Sequence, residues 1–464
     1  MPLGLGTAFT CYSPRVNPRP LPDDLGRLVR NELARLDVPG AAVGVIAGGE
    51  WYAEGFGVTH LDHPLPVTPD TIFQTGSTSK TFTATALLLL AVAGRLDIEA
   101  PVRTYLPGFR LQSEADAARV TVKDLLTHHG GWVGDYFRDF GRGDDALALM
   151  TASMAGAPQV IECGRAFSYS NAGFNVLARI VEVVSGESFE AFVTERLLLP
   201  LEMTRSMYWA DEAILHRVAV GHLSEAGRTF PSPRMAISRN MAGSSGVMSS
   251  VVDQLRWAAF QLGDGDGILP AAALRKMQTP HRDGGSVCAK IGLSWEIDYA
   301  ESGEAIVKHG GAINGQLSAF EFVPSAGYAC TVLTNAESGR EAKTRVSAAC
   351  LERFAGLRRP LPAANPALAA SAPDYAGLYL QRIFELRIEA RDGQLIIHES
   401  TPERYRRGIQ AEPPPPMRAA LFAPDRAVVL DPPHAGETCE FLRDPNGAIA
   451  LMRWDGRLSR RVAP

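Results

Sequence analysis

Lysine is scarce in this 464-residue chain: of its 46 basic residues only six, at positions 80, 123, 276, 290, 308 and 343, are lysine. Cysteine is as thin. Cys11, Cys163, Cys288, Cys330, Cys350 and Cys439 lie far apart, form no Cys-x-x-Cys pair and share no zinc spacing with histidine. That pattern excludes a disulfide scaffold and a structural zinc site and leaves buried free thiols, so neither metal nor cofactor is expected. No stretch approaches the ~18 apolar residues of a membrane span, and Met1-Pro-Leu-Gly-Leu-Gly lacks the basic start and long apolar core of a secretory leader. The reading is a soluble, cytoplasmic chain with no membrane partner, periplasmic or secreted only if a leader was removed. Charge of one sign is also missing. The net charge is −5 and the arginines are scattered, which argues against nucleic acid as a partner.

What is present is a large apolar fraction, 46%, enough for a sizeable core and more than one domain. Asp23–Leu36 has helical periodicity, and Ala41–Ile46 with Trp51–Val58 around Gly48-Gly49 reads as a β-hairpin. From Lys80 to Ala93 no charge interrupts, which predicts a helix buried on all sides. Val122–His128, Asn171–Ser185, Phe189–Leu199 and Val251–Leu262 also carry helical spacing. Strands are expected at Gly292–Ile297, Ala305–His309, Leu317–Val323 and Ala329–Thr334, then a closing helix at Glu341–Ala355. Strands, helices, strands and a helix describe an α+β domain with an antiparallel sheet, shared by both ends of the domain, and a helical lobe. Arg358–Pro373 is rich in proline and alanine and reads as a linker. After it, short runs such as Tyr375–Leu380, Phe384–Glu389, Gln394–His398, Ala427–Leu430, Glu440–Leu442 and Ile449–Trp454 imply roughly six to eight strands of a small antiparallel barrel. The expected division is 1–357, a 358–373 linker and 374–464.

Three clusters carry complementary chemistry. In Ser77-Thr78-Ser79-Lys80, a serine that needs a base to become a nucleophile stands one helical turn from a lysine. Arginine cannot serve there, since only lysine can become neutral and accept a proton. The helix start also turns its positive end toward an oxyanion formed at the serine. Alone, the cluster reads more readily as an N-capping serine with an unrelated surface lysine. In Tyr169-Ser170-Asn171 the phenol can relay a proton if nearby cations lower its pKa, and Asn171 can bind a carbonyl or cap the following helix. In His309-Gly310-Gly311-Ala312 the glycines let a substrate lie along a strand edge, with a backbone N–H to pair with that of Ser77 in an oxyanion hole.

Ser-x-x-Lys followed by a second polar triplet and a late Gly-containing triplet resembles the β-lactamase and penicillin-binding protein signature. The Tyr-x-Asn and His-x-Gly forms are similar to the class C β-lactamase-like branch, which includes DD-peptidases, D-aminopeptidases and esterases. Flanking stretches extend the likeness: Thr68-Pro-Asp-Thr-Ile-Phe-Gln-Thr-Gly, Gly94-Arg-Leu-Asp, Val122-Lys-Asp-Leu-Leu-Thr-His-His-Gly-Gly and Ala242-Gly-Ser-Ser-Gly-Val. The tail resembles the lipocalin-like barrel of some peptidases of that branch. The resemblance implies Ser77 as nucleophile, Lys80 as base, Tyr169 as relay, Asn171, His309, Gly310 and Gly311 as substrate binders, and the N–H groups of Ser77 and Ala312 as the oxyanion hole. His309 and Gly310 stand where a lysine and a hydroxyl usually hold a carboxylate, and a mostly neutral imidazole beside a glycine holds an anion less well. Lys308 does not replace them, since neighbouring strand residues point to opposite faces.

The expected activity is therefore peptidase or amidase on a small molecule or short peptide, with carboxylesterase as the alternative and a β-lactamase or an idle binding protein less favoured. The barrel is read as a cleft cap or a contact in a homo-oligomer. Trp132, Asp135, Tyr136 and Phe137 either line the cleft or pack, His128-His129 end a helix, and Gly263-Asp-Gly-Asp-Gly lacks the later glutamate of a calcium loop and reads as a turn.

Overall fold

The computed structural model describes residues 17–136, 138–225, 227–402 and 413–462. The long apolar repeats place the elements. Helix α1 (Asp23–Arg35) is followed by the hairpin of β1 (Gly40–Ala47) and β2 (Glu50–Gly57), then α2 (Ser79–Val92), α3 (Asn171–Ser185) and α4 (Val251–Leu262). Late strands β3 (Arg282–Asp283), β4 (Lys290–Ile291), β5 (Glu296–Tyr299), β6 (Ala305–Ile313), β7 (Gln316–Val323) and β8 (Tyr328–Thr334) precede α5 (Gly339–Ala355). They form one antiparallel sheet in the order β2-β1-β8-β7-β6-β5-β4-β3, so the two ends of this region do meet, with Ala41 opposite Thr334. Alternation along β1 divides the core. Ala41, Val43 and Val45 face α1 and α5, while Ala42 joins the cluster that runs through α4 into the helical lobe. There Phe82 of α2 stacks on Trp257 of α4, centroids 4.0 Å apart.

One register detail creates the cleft. β5 pairs only with Ala305–Lys308 of β6, so residues 309–313 are bonded to β7 on one side and have a free edge on the other. The strand expected at Gly292–Ile297 is displaced to Glu296–Tyr299 because Ser294 adopts a φ of 74°, outside any strand. The helix expected over Phe189–Leu199 is α-helical only to Val193 and widens into a π turn over Thr194–Leu198. Gly263–Gly267 is the turn between α4 and the short helix Ala271–Met277.

The tail is a closed eight-stranded antiparallel barrel: β9 (Gly377–Leu380), β10 (Glu385–Arg391), β11 (Gln394–Ser400), β12 (Met417–Ala423), β13 (Arg426–Val429), β14 (Thr438–Arg443), β15 (Ile449–Trp454) and β16 (Arg457–Val462). Its interior is filled by side chains such as Tyr379, Leu386, Ile397 and Met452. Closure by β9 against β16 removes both sheet edges. Residues Pro366–Tyr375, in the stretch read as linker, form 3-10 turns that bury Ala372 and Tyr375 against the barrel. The five described cysteines are buried and free, Cys11 lies outside the described residues, and no described helix is long and apolar enough to cross a membrane.

Candidate active site

Ser77 sits in the single 3-10 turn, Gly76–Thr78, that leads into α2. The turn is pinned from both sides. Ser318 on β7 donates its hydroxyl to Thr75 O at 2.8 Å, and Ser79 Oγ accepts from Val247 N at 2.9 Å while donating to Gly76 O at 2.7 Å. The free edge of β6 abuts it so closely that a Cβ on Gly311 would lie 2.0 Å from Thr75 O and 2.8 Å from Ser77 N. A Cβ on Gly76 would lie 2.8 Å from Ala312 N, so the turn that carries Ser77 packs against Ala312 with no room for a side chain.

One turn on, Lys80 is fully buried with its Nζ 3.0 Å from Ser77 Oγ. The same nitrogen donates to Asn171 Oδ1 at 2.6 Å and to Ser244 O at 2.9 Å. Burial, aided by the Arg457 charge, holds its pKa well below the usual lysine range. In its neutral form the amine has two hydrogens for those two oxygens and a lone pair for the serine hydroxyl. Burial moves Tyr169 the other way. Its phenol is raised above the ordinary tyrosine range although Lys80 and Arg457 each stand 4.8 Å from the ring centre. The Arg457 charge does lower this pKa, as a relay aided by nearby cations requires, but desolvation outweighs it.

Asn171 begins α3 but does not cap it, since the cap is Ser170, whose Oγ accepts from Gly173 N at 2.9 Å. The Asn171 amide instead joins Lys80 to Asp135, donating to Asp135 Oδ1 at 2.7 Å and keeping a second N–H for the cleft. His309 is buried, and its Nδ1 donates to Gly310 O at 2.7 Å, so Nε2 carries a bare lone pair with no partner among the described residues. Burial, the largest cause, pulls its pKa down to about 3. Lys308, facing the other way, is tied to Asp298 at 2.5 Å.

Three contributors were not legible. Asp135, one of the residues read as cleft lining or packing, is fully buried at the centre of the network, while Trp132 packs against Phe109 and Tyr136 is half-buried; Phe137 lies outside the described residues. His128, read as a helix end, takes a left-handed φ of 59°, stacks on Tyr169 at 4.4 Å and accepts Ser170 N at its Nδ1. The third comes from the barrel: the β15–β16 turn reaches into the cleft, Gly456 O accepts Tyr169 N at 2.8 Å, and Arg457 donates to Asp135 Oδ2 at 2.7 Å. Asp-Gly at 455–456 signals a hairpin turn in the sequence, yet nothing there ties it to a residue 322 positions away.

The cleft above these residues encloses about 1730 Å³ between the sheet edge, α5 and the barrel. Its floor holds the Ser77 hydroxyl beside the buried Lys80 amine, with the Tyr169 phenol and the free edge of β6 facing the same cleft.

The family model described as Beta-lactamase matches residues 25–351. Penicillin-binding protein 4 of Amycolatopsis lactamdurans is 35% identical over 356 residues, covering 74% of this chain and 93% of that protein. The crystal structure of SurE superposes with a TM-score of 0.72 at 25% identity, over 95% of this chain and 99% of that one. A class C β-lactamase from Rhodobacter sphaeroides superposes at 0.61 and 23% identity over 72% of this chain and all (100%) of that one. The chain thus belongs to the beta-lactamase family, built on the serine-hydrolase fold of class C β-lactamases with a barrel added after it.

Proposed function

We propose that this chain is a serine hydrolase that works through an acyl-enzyme on Ser77 and acts on peptides or amides. The observation that carries the reading is the placement of Lys80 Nζ 3.0 Å from Ser77 Oγ in a site where burial lowers the pKa of the amine and raises that of the Tyr169 phenol. Two groups displaced in opposite senses supply a base and an acid at one pH. Lys80 takes the Ser77 proton as the hydroxyl attacks the carbonyl, the Ser77 and Ala312 amides hold the oxyanion, and Tyr169 passes a proton to the leaving group. Asn171 and the Gly310-Gly311 edge bind the substrate, with Asn171 also holding Lys80 in place. Water then reverses the sequence.

A cleft of about 1730 Å³ exceeds the ~300–1,000 Å³ of ordinary small-ligand sites and suits an extended peptide better than a compact ester. His309, uncharged at neutral pH, offers no anion hold on its face of β6, which moves the reading away from β-lactams. Residues 1–357 form the hydrolase unit in this reading, 358–373 the linker and 374–464 a barrel that completes the site.

A panel of a nitrophenyl ester, D- and L-amino-acid anilides and a chromogenic cephalosporin tests it with wild type and Ser77→Ala. Anilide turnover lost in Ser77→Ala, with little cephalosporin cleavage, is expected. Ester turnover alone makes the protein a carboxylesterase, and activity surviving in Ser77→Ala removes the mechanism.

A further inference from the structure

Tyr169 lies between two serines too small to brace its ring, and His128, which takes no part in the chemistry proposed for Ser77, braces it in two ways. Its ring stacks on the phenol ring, centroids 4.4 Å apart and planes 26° from parallel, which leaves no room for water between them. Its Nδ1 accepts the Ser170 N–H at 3.0 Å, and its backbone oxygen accepts the Ser168 N–H at 2.8 Å. The chain on both sides of the tyrosine thus hangs from one residue.

The cost of this placement shows in the backbone. His128 has a φ of 59°, a left-handed conformation that residues with a Cβ rarely adopt and that gathers at functional sites. Glycine would adopt it freely, yet the chain keeps its glycines for 130 and 131. What stands at 128 is a ring, closed in by Phe167 at 5.3 Å and Phe174 at 5.0 Å until it is 1% exposed.

A ring whose Nδ1 accepts carries its proton on Nε2, where the N–H has no partner among the described residues. The other buried histidines described, His129, His222 and His309, each set Nδ1 against a backbone oxygen, so His128 is alone among them in this tautomer. Burial, then the charges of Lys80, His309, His129 and Arg457, hold its pKa well below the usual histidine range, so the ring is uncharged at neutral pH. Around the phenol stand Ser77 and Lys80 from the start of α2, Asp135 from the helical lobe, Glu296 from β5, His309 from β6 and Arg457 from the barrel. His128 adds a wall to that set and no charge.

We infer that His128 is the positioning residue of the proton relay: its ring shuts water away from one face of Tyr169, while its Nδ1 and backbone oxygen fix the turn that aims the phenol at Ser77. This rests on the acyl-enzyme reading of Ser77.

The test uses the intact protein, with competent sites counted by a fluorophosphonate that labels Ser77, and two variants that divide the roles. His128→Asn keeps an acceptor and tolerates the left-handed backbone but has no ring, whereas His128→Phe keeps a ring and loses the acceptor. Without the ring, water reaches the phenol and its ionisation moves down toward the ordinary tyrosine value of about 10. A phenolate has no proton to pass on, so kcat of His128→Asn should fall on a basic limb near there that wild type and His128→Phe do not show. Below that limb both variants should lose roughly ten- to hundredfold in kcat per labelled site, because the phenol is no longer held to its aim. No basic limb in His128→Asn, or wild-type kcat per labelled site in either variant, overturns the inference. Should both variants fail to fold, nitrogen NMR of wild type still decides: one histidine must show a bare Nδ1 and a protonated Nε2 that do not titrate around neutral pH, and its absence overturns the inference. If wild-type Ser77 takes no phosphonate at all, the acyl-enzyme reading itself falls, an outcome distinct from labelled variants that turn over normally.

Discussion

At Ser77 the chemistry depends on one burial effect acting on two groups. Loss of water disfavours the charged form of both a lysine and a tyrosine, so burial lowers the pKa of Lys80 and raises that of Tyr169. The sign for activity follows. Lowering the pH protonates Lys80 and removes the base, so kcat/KM should fall on an acid limb that lies well below the ordinary lysine pKa of about 10.4. His309 does not set that limb, because its own transition is near 3. A pH–rate profile of wild type on an anilide, with the active-site serine titrated by phosphonate to count competent enzyme, checks this; a limb at the ordinary lysine position would contradict a buried neutral base. Gly311 is the second residue on which the site turns. A methyl group there meets backbone rather than a movable side chain, 2.0 Å from Thr75 O, so β6 or the Ser77 turn must shift. Gly311→Ala should lower kcat by about a hundredfold or more, since displacement of about 1 Å costs that much in a positioned site, while circular dichroism stays that of the folded protein.

Among the elements, the β15–β16 hairpin carries the most information that sequence reading lacked. Lys80–Ala93 announced its helix as a long uncharged apolar run and Asn171–Ser185 by its helical spacing, and α3 ends at the residues its pattern implied. Ser77, Lys80, Tyr169, Asn171 and His309 were legible for the same reason: each cluster joins groups only a few residues apart. Met417–Ala423 and Arg457–Val462 were not, because alanine and arginine there replace the β-branched residues that mark strands. Asp135 and Arg457 were missed as partners because their ion pair joins two distant turns, and local spacing holds no record of such a contact. That pair is now the more testable feature. Asp135 is fully buried, and removing its cation leaves the carboxylate uncompensated, a loss of about 3–5 kcal/mol in such settings. Arg457→Ala should therefore lower the denaturation midpoint and, by loosening the Asp135–Asn171–Lys80 chain, reduce kcat. Arg457→Ala combined with Asp135→Asn should recover stability relative to the single variant, and a double variant no more stable than Arg457→Ala would show that the pair is not what the arginine holds.

Across the whole molecule the barrel is joined to the hydrolase region through its site-facing strands. Besides Gly456 and Arg457, Arg453 donates to Phe167 O at 3.0 Å, Leu458 N to Ser168 Oγ at 3.4 Å, and Arg460 to Gln159 O and Val160 O at 3.0 Å. All these acceptors lie in the segment that leads into Tyr169 and α3. A barrel that served only as a contact between copies would have no reason to place its bonds there. Removal of residues 370–464 exposes Phe167, Tyr169 and Ile291, now a small buried cluster, leaves Asp135 without Arg457, and frees the Tyr169 backbone. The truncated chain should retain the far-UV signature of the antiparallel sheet and helices, whose buried clusters include no barrel residue, yet lose most of its Ser77 phosphonylation rate. Supplying the barrel as a separate chain should restore part of that rate in a concentration-dependent manner, because the contacts that order the site are non-covalent. A truncated protein that labels Ser77 at the wild-type rate would make the barrel dispensable for chemistry and return it to the role of an accessory surface.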